Sequence, residues 1–159
     1  MLLRDKATAT FIREQGAGFD ILHFAAHGTF DVDRPLDSAL LLAKDDHNDG
    51  YLRVGDLYHL SLDADLVTLS ACETALSQVA NGDDVVGFTR GLVYAGSRSI
   101  LSSLWKVDDQ ATRDLMVTFY HGLATHSKAE ALWLAQIEVR KQHPNPYDWA
   151  GFLLTGSDR

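Results

Sequence analysis

The side chains with the clearest chemical potential are a single cysteine and one of seven histidines. Cys72 directly follows the apolar run of residues 66–71, and His27 directly follows a second apolar run, residues 21–26. A cysteine acts as a nucleophile only as its thiolate, and a free thiol has a pKa of about 8.5, so a neighbouring base is needed near neutral pH. An imidazole can be that base. The pattern predicts that Cys72 and His27 form a nucleophile–base pair.

Both apolar runs have the length and composition of buried strands, so the two side chains would stand at strand ends. In open parallel α/β sheets, ligands bind at the carboxyl ends of the strands. Gly28 follows His27 and permits close approach of a substrate, so the backbone N–H groups of Gly28 and Cys72 are predicted to hold an oxyanion. The alternatives are that Cys72 is a buried, inert thiol and that Gly28 is an ordinary turn glycine.

The remaining elements predict a largely parallel sheet with helices on its faces, in one domain over residues 1–159. The expected strands lie at residues 19–26, 66–71, 99–105 and 149–154, and residues 38–43 and 51–54 are expected to form a hairpin. Helices are expected at residues 6–15 with Asp5 as cap, at 83–95, after Asp108 or Asp109, and from Ser127 to about Gln142. Ser127 and Glu130 have the spacing of a capping box.

The loop after the 99–105 strand is a second candidate region, because it should lie beside Cys72. Trp105 could form one wall of a substrate pocket, and Asp108 or Asp109 could contact a basic substrate side chain. The alternative is that Trp105 packs inside the protein and that at least one of the two aspartates caps a helix.

The histidine spacing argues against a metal site. His23 and His27 lie four residues apart on a predicted strand, which separates them by about 13 Å, too far to share an ion with bonds near 2 Å. His23 is predicted to be a hydrogen-bonded core residue, and the other five histidines to lie at the surface: His47, His59, His121, His126 and His143. No phosphate-binding loop and no nucleophilic serine elbow are present.

Composition and charge indicate which classes of partner the protein can bind and in which cellular compartment it is expected. The net charge is −8 and the 14 Lys and Arg residues are scattered, which argues against a nucleic-acid-binding face. The sequence has no apolar run of membrane-spanning length and no hydrophobic leader after Met1, so no membrane association is expected. One unpaired cysteine is typical of the reducing cytoplasm, where we expect the protein to be located.

Four motifs in order resemble the CHAT domain family, a group of caspase-like modules often found with tetratricopeptide repeats. The resemblance covers about residues 7–156, with further similarity at residues 82–88 and 94–96. The motifs are His23-Phe24-Ala25-Ala26-His27-Gly28, Leu69-Ser70-Ala71-Cys72-Glu73-Thr74-Ala75, Ser103-Leu104-Trp105-Lys106-Val107-Asp108 and Trp149-Ala150-Gly151-Phe152.

This resemblance implies the caspase–haemoglobinase fold, shared with metacaspases and separase, and a peptidase dyad at His27 and Cys72. It implies hydrolysis of protein or peptide substrates without a cofactor, under control of a partner such as a tetratricopeptide-repeat segment, often in bacterial signalling or defence. A non-proteolytic interaction module of the same fold is the alternative. Cys72 is followed by Glu73, and Ser70 stands two places before it. Neither caspase nor metacaspase cleavage preference therefore transfers.

The resemblance also implies further strands before the histidine strand, so the first part of the sheet is expected to be missing. The strand from Phe19 to Ala26 would then be an edge strand. Its sequence carries only Asp20 and His23 as polar interruptions, which protects it poorly against pairing with another chain. We therefore expect self-association through this strand, or a partner that completes the sheet.

Overall fold

The structure, a computed structural model, describes residues 4–29, 31, 33–70 and 83–159. Its α-helices are α1 (Ala9–Gln15), α2 (Val54–Leu57), α3 (Asp83–Tyr94), α4 (Asp109–Gly122) and α5 (Lys128–Val139). Its strands are β1 (Ile21–Phe24), β2 (Gly28–Thr29), β3 (Ala39–Leu41), β4 (Tyr51–Arg53), β5 (Leu66–Leu69), β6 (Ser99–Ser103) and β7 (Phe152–Gly156). Short 3₁₀ helices lie at Arg4–Lys6, Gly16–Gly18, Pro35–Asp37 and Pro146–Asp148.

The main sheet has the strand order β1-β5-β6-β7. β1, β5 and β6 are parallel, with Phe24 beside Leu69 and Leu69 beside Ser102, whereas β7 runs antiparallel to β6. Helices pack on both faces of this sheet. The prediction of a mixed α/β fold with a mostly parallel sheet is therefore confirmed.

A second, smaller sheet follows β1 in the chain and has the order β2-β3-β4, with both pairings antiparallel. β3 and β4 lie in the two segments that the sequence predicts to be extended, with Leu40 opposite Leu52. β2 was not predicted, because a strand of two residues is too short to show the alternation of polar and apolar side chains that marks a strand. Val54 begins α2 and does not end a strand, since the Asp56 carboxylate accepts the backbone N–H of Arg53 at 2.9 Å and closes the start of that helix.

Capping side chains set several helix boundaries. α1 begins at Ala9 and not at Lys6, because Thr8 is the cap and its hydroxyl accepts the N–H of Phe11 at 3.1 Å. Asp5 lies in a preceding 3₁₀ helix and does not cap α1. The predicted cap of α5 is confirmed: the Ser127 hydroxyl accepts the N–H of Glu130 at 3.3 Å, although α5 ends at Val139 and not at Gln142.

Alternate residues of the central strands contribute to two hydrophobic clusters, one on each face of the sheet. Val67 and Leu69 of β5 pack with Leu22 and Phe24 of β1 and with the buried side of α3. Leu66, on the opposite face, packs with α4 and α5 in a cluster centred on fully buried side chains such as Phe119. This division follows from the period of two along a strand and fixes the face from which each helix approaches.

β1 pairs with β5 and has no second neighbour among the described residues. Ile21 on this strand is 45% exposed, and Phe19 just before it is 44% exposed. This position matches the expected edge, and self-association through it stays a prediction. Across the described part of the chain, no helix is both long and apolar enough to cross a bilayer.

Candidate functional site

The main chain of His27 is anchored by the second sheet. His27 lies between β1 and β2, and its backbone carbonyl accepts a hydrogen bond from the N–H of Leu41 at 2.7 Å. The residue itself is exposed. The structure thus holds the backbone of this histidine at the carboxyl end of β1 and leaves the residue accessible to solvent.

Cys72 and its backbone N–H lie outside the described residues, but the strand that leads to them is described. Phe24 at the end of β1 pairs with Leu69 at the end of β5, and the N–H of Ser70 donates to the carbonyl of Phe24 at 3.2 Å. His27 follows Phe24 by three residues and Cys72 follows Leu69 by three residues. The two strands end side by side, as the predicted pair requires.

Gly28 is buried in β2, opposite Leu40 of β3. The hydrogen bond from Leu41 to the carbonyl of His27 places Gly28 at a non-hydrogen-bonded position of this antiparallel ladder. Its backbone N–H is therefore directed away from β3. The oxyanion role of this N–H stays a prediction.

Trp105 packs against the segment that leads into β7. Its indole Nε1 donates to the carbonyl of Tyr147 at 2.8 Å, and the two rings stack with centroids 5.4 Å apart. Gly151 lies so close that an added Cβ would be 2.7 Å from the indole Cε2. The packing alternative for Trp105 is thus observed, and its role as a pocket wall stays a prediction.

Asp108 caps α4. One carboxylate oxygen accepts the N–H groups of Gln110 at 2.9 Å and of Ala111 at 3.1 Å. Asp109 is the exposed first residue of the helix. The capping alternative is therefore observed for Asp108, and a contact of either aspartate with substrate stays a prediction.

Asp108→Ala is expected to lower the free energy of unfolding by about 0.5–2 kcal/mol, because two N–H groups at the start of α4 lose their acceptor. Urea unfolding followed by circular dichroism would measure the loss. Asp109→Ala is the matched control, since it removes a neighbouring carboxylate that is not the cap. Equal losses in the two variants would contradict the capping role.

A hydrogen-bonded network links β1, β5 and α4 next to these strand ends. His23 Nε2 lies 2.6 Å from Ser70 Oγ, and His23 Nδ1 lies 3.1 Å from the Tyr120 hydroxyl. Tyr120 in turn donates to Thr68 Oγ1 at 2.9 Å. The prediction that His23 is hydrogen-bonded is confirmed. Its predicted core location is wrong, because the residue is exposed on β1, which is the outermost strand of the described sheet.

One tautomer of His23 is consistent with donation from Tyr120 to Thr68. In it the imidazole hydrogen is assigned to Nδ1 and is directed to the Tyr120 oxygen. Nε2 then has a lone pair for the Ser70 hydroxyl proton. Although the His23 residue as a whole is exposed, the neighbouring groups partly desolvate its ring, which lowers the pKa of His23. Burial raises the pKa of Tyr120. Both effects favour the neutral forms that this network needs.

The other histidines supply no further site. His47, His59, His121 and His126 are exposed, as predicted. The surface prediction is wrong for His143, which is partly buried because the chain after α5 brings it against α4, with Nε2 3.2 Å from Asp114 Oδ2. This hydrogen bond lowers the pKa of the Asp114 carboxyl. Among the described residues, no cluster of three His, Cys, Asp or Glu side chains could hold a metal ion.

A cavity of about 660 Å³ lies beside the second sheet, in a segment where the sequence analysis placed no site. Asp31 accepts the backbone N–H of Arg34 at 2.9 Å and also pairs with its guanidinium, and both contacts lower the pKa of the Asp31 carboxyl. The cavity therefore presents both signs of charge. Its lining residues are Thr29, Asp31, Asp33, Arg34, Asp37, Tyr51 and Arg53.

Tyr120 and Thr68 were not predicted as members of the site, although the sequence carries a signal for Thr68. Thr68 and Ser70 alternate with Val67 and Leu69, which places two hydroxyl groups on one face of β5. Tyr120 follows the buried Phe119 and carries no signal of its own, because its partner is set by how α4 docks on the sheet.

Comparisons with known proteins agree with the motif order. The model of the CHAT domain family matches residues 1–157. Tetratricopeptide repeat protein 28 of Homo sapiens is 34% identical over 110 residues, which is 67% of this chain and 4% of that protein. The Mus musculus protein of the same name matches with the same identity and coverage. This chain thus aligns with a small part of two much longer relatives.

Proposed function

Since the chain belongs to the CHAT domain family, we propose that it is a cysteine endopeptidase domain with Cys72 as nucleophile and His27 as base. The observation that carries this proposal is the parallel register of β1 and β5, with Phe24 beside Leu69. Both residues of the proposed dyad follow these paired positions by the same number of residues.

In the proposed reaction, His27 takes the thiol proton of Cys72 and the thiolate attacks the carbonyl carbon of a peptide bond. The backbone N–H groups of Gly28 and Cys72 donate to the oxyanion. The C–N bond then breaks, and His27 returns the proton to the leaving amine. Water next attacks the thioester with His27 as base, which releases the acid and restores the Cys72 thiol.

We further propose that a tetratricopeptide-repeat segment regulates this domain in the cytoplasm. The two relatives support this idea, because both are named as tetratricopeptide repeat proteins. Such repeats stack into extended concave surfaces that bind other chains. A regulator of this kind could therefore hold the domain and its substrate together.

A non-proteolytic interaction module is the second candidate, and the exposed edge strand favours it. Among the described residues β1 has no partner strand on its outer side, and Ile21 on this strand is 45% exposed. An edge of this kind can bind an extended peptide by adding a strand to the sheet, without any chemistry. The same fold could then serve recognition alone.

Labelling of Cys72 with a peptidyl chloromethyl ketone separates the two candidates. The chain has one cysteine, so mass spectrometry reports its alkylation without ambiguity. A peptidase predicts faster labelling in the folded protein than in urea, because the folded site binds the peptide and lowers the pKa of the thiol. Labelling that is no faster in the folded state would contradict the peptidase and favour the interaction module.

A further inference from the structure

We propose that the hydrogen bond between His23 and Ser70 holds together the two chain segments that carry the catalytic dyad, which makes His23 a positioning residue. This inference rests on the proposed peptidase function. His23 lies four residues before His27, and Ser70 lies two residues before Cys72. A bond between these two side chains therefore joins the two segments within four residues of each reactive group in the sequence.

Two contacts tie Ser70 to β1. The backbone N–H of Ser70 donates to the carbonyl of Phe24 at 3.2 Å, and the Ser70 hydroxyl lies 2.6 Å from His23 Nε2. The backbone bond continues the ladder of the parallel strands. The side-chain hydrogen bond is a second connection between Ser70 and β1, on the face of the sheet that α4 covers. It restricts the orientation of Ser70 relative to β1.

The imidazole is itself held in place from its other side. Tyr120 of α4 contacts Nδ1 and donates its own proton to Thr68, which is fully buried. The His23 and Tyr120 rings also lie in contact, with centroids 5.6 Å apart. His23 therefore presents Nε2 to Ser70 in one orientation, as a positioning group must.

The expected effect follows from how steeply proximity catalysis depends on distance. Misplacement of a reacting group by 1 Å can lower the rate about 100-fold. Ser70→Ala removes the side-chain tie and keeps the backbone one, so we expect kcat to fall about 10- to 100-fold with little change in KM. The pKa of the Cys72 thiol should also rise towards about 8.5, because His27 is held less firmly beside it.

Ser99→Ala is the matched control. The Ser99 hydroxyl is fully buried at the start of β6 and donates to the carbonyl of Ser157 at 2.5 Å, at the opposite end of the sheet. Its loss should lower the free energy of unfolding without changing kcat or the thiol pKa. His23→Gln keeps an acceptor for Ser70 and should retain more activity than His23→Leu, which does not.

The pH dependence of iodoacetamide alkylation of Cys72 gives the decisive readout, with a urea midpoint for each variant to verify folding. A thiol pKa that rises in Ser70→Ala and in His23→Leu, but not in Ser99→Ala, supports the proposal. A thiol pKa that is low in the wild type and unchanged in the first two variants overturns the positioning role and leaves the peptidase proposal intact. A wild-type thiol that titrates as in the unfolded chain overturns the dyad, and the positioning role with it.

Discussion

Cys72→Ala and His27→Ala are each expected to abolish peptide hydrolysis, with kcat falling by about 10⁴- to 10⁶-fold. Alanine at position 72 leaves no atom to form the thioester, and alanine at position 27 leaves no base for the thiol proton. Cys72→Ser should be nearly as inactive, because a hydroxyl is much less acidic than a thiol. Cleavage of a fluorogenic peptide library, with each variant at equal concentration, measures the loss.

Two controls make this result specific. His126→Ala removes an exposed histidine in the turn between α4 and α5 and should leave hydrolysis unchanged. Addition of EDTA should also leave it unchanged, since the proposed reaction uses no metal. Hydrolysis that survives Cys72→Ala, or that EDTA abolishes, would show that the chemistry is of another kind.

Phe119→Ala is expected to lower the free energy of unfolding by about 3–5 kcal/mol, a large share of the stability of an ordinary domain. Phe119 is 0% exposed and packs in the cluster between α4, α5 and the sheet. Its truncation removes apolar contacts and leaves a cavity that the surrounding side chains fill only in part. Urea unfolding followed by tryptophan fluorescence would measure the change.

Val117→Ala is the matched control on the same helix, because Val117 is 49% exposed and leaves no internal cavity. We expect its effect to stay within about 0.5 kcal/mol. Phe119 also contacts the ring of Tyr120, with centroids 5.4 Å apart, so Phe119→Ala should disturb the hydrogen bonds to His23 as well. A loss for Phe119→Ala no larger than that for Val117→Ala would contradict the assignment of this core.

The main strands could be located from the sequence, because their apolar runs are uninterrupted and are bounded at their ends by turn-forming residues. Residues 66–69 and 99–103 form strands within the predicted ranges. The ends were less predictable: Asp5 was expected to cap α1, whereas Thr8 caps it. The residue before Thr8 is held by a distant segment, since the N–H of Ala43 donates to the carbonyl of Ala7 at 2.9 Å. A boundary of this kind depends on tertiary contacts that a local pattern does not contain.

In the candidate site, too, local contacts could be predicted from the sequence and tertiary contacts could not. Asp108 could be predicted as a cap, since an aspartate before an apolar-periodic helix is a local signal. The contact between His23 and Tyr120 could not be predicted, because it depends on how α4 docks across two strands. His23 could be expected to find hydrogen bonds, but the partners that orient it come from β5 and α4.

The long sequence separations inside the His23 network have a consequence for folding. His23 and Ser70 are 47 residues apart, Thr68 and Tyr120 are 52 apart, and His23 and Tyr120 are 97 apart. Contacts of this range form slowly, because the intervening chain must lose its loop entropy before the contact stabilises it. Helices α4 and α5, which are neighbours in the chain, can pair long before that. During refolding, helical structure should therefore return before the hydrogen bonds that orient His23.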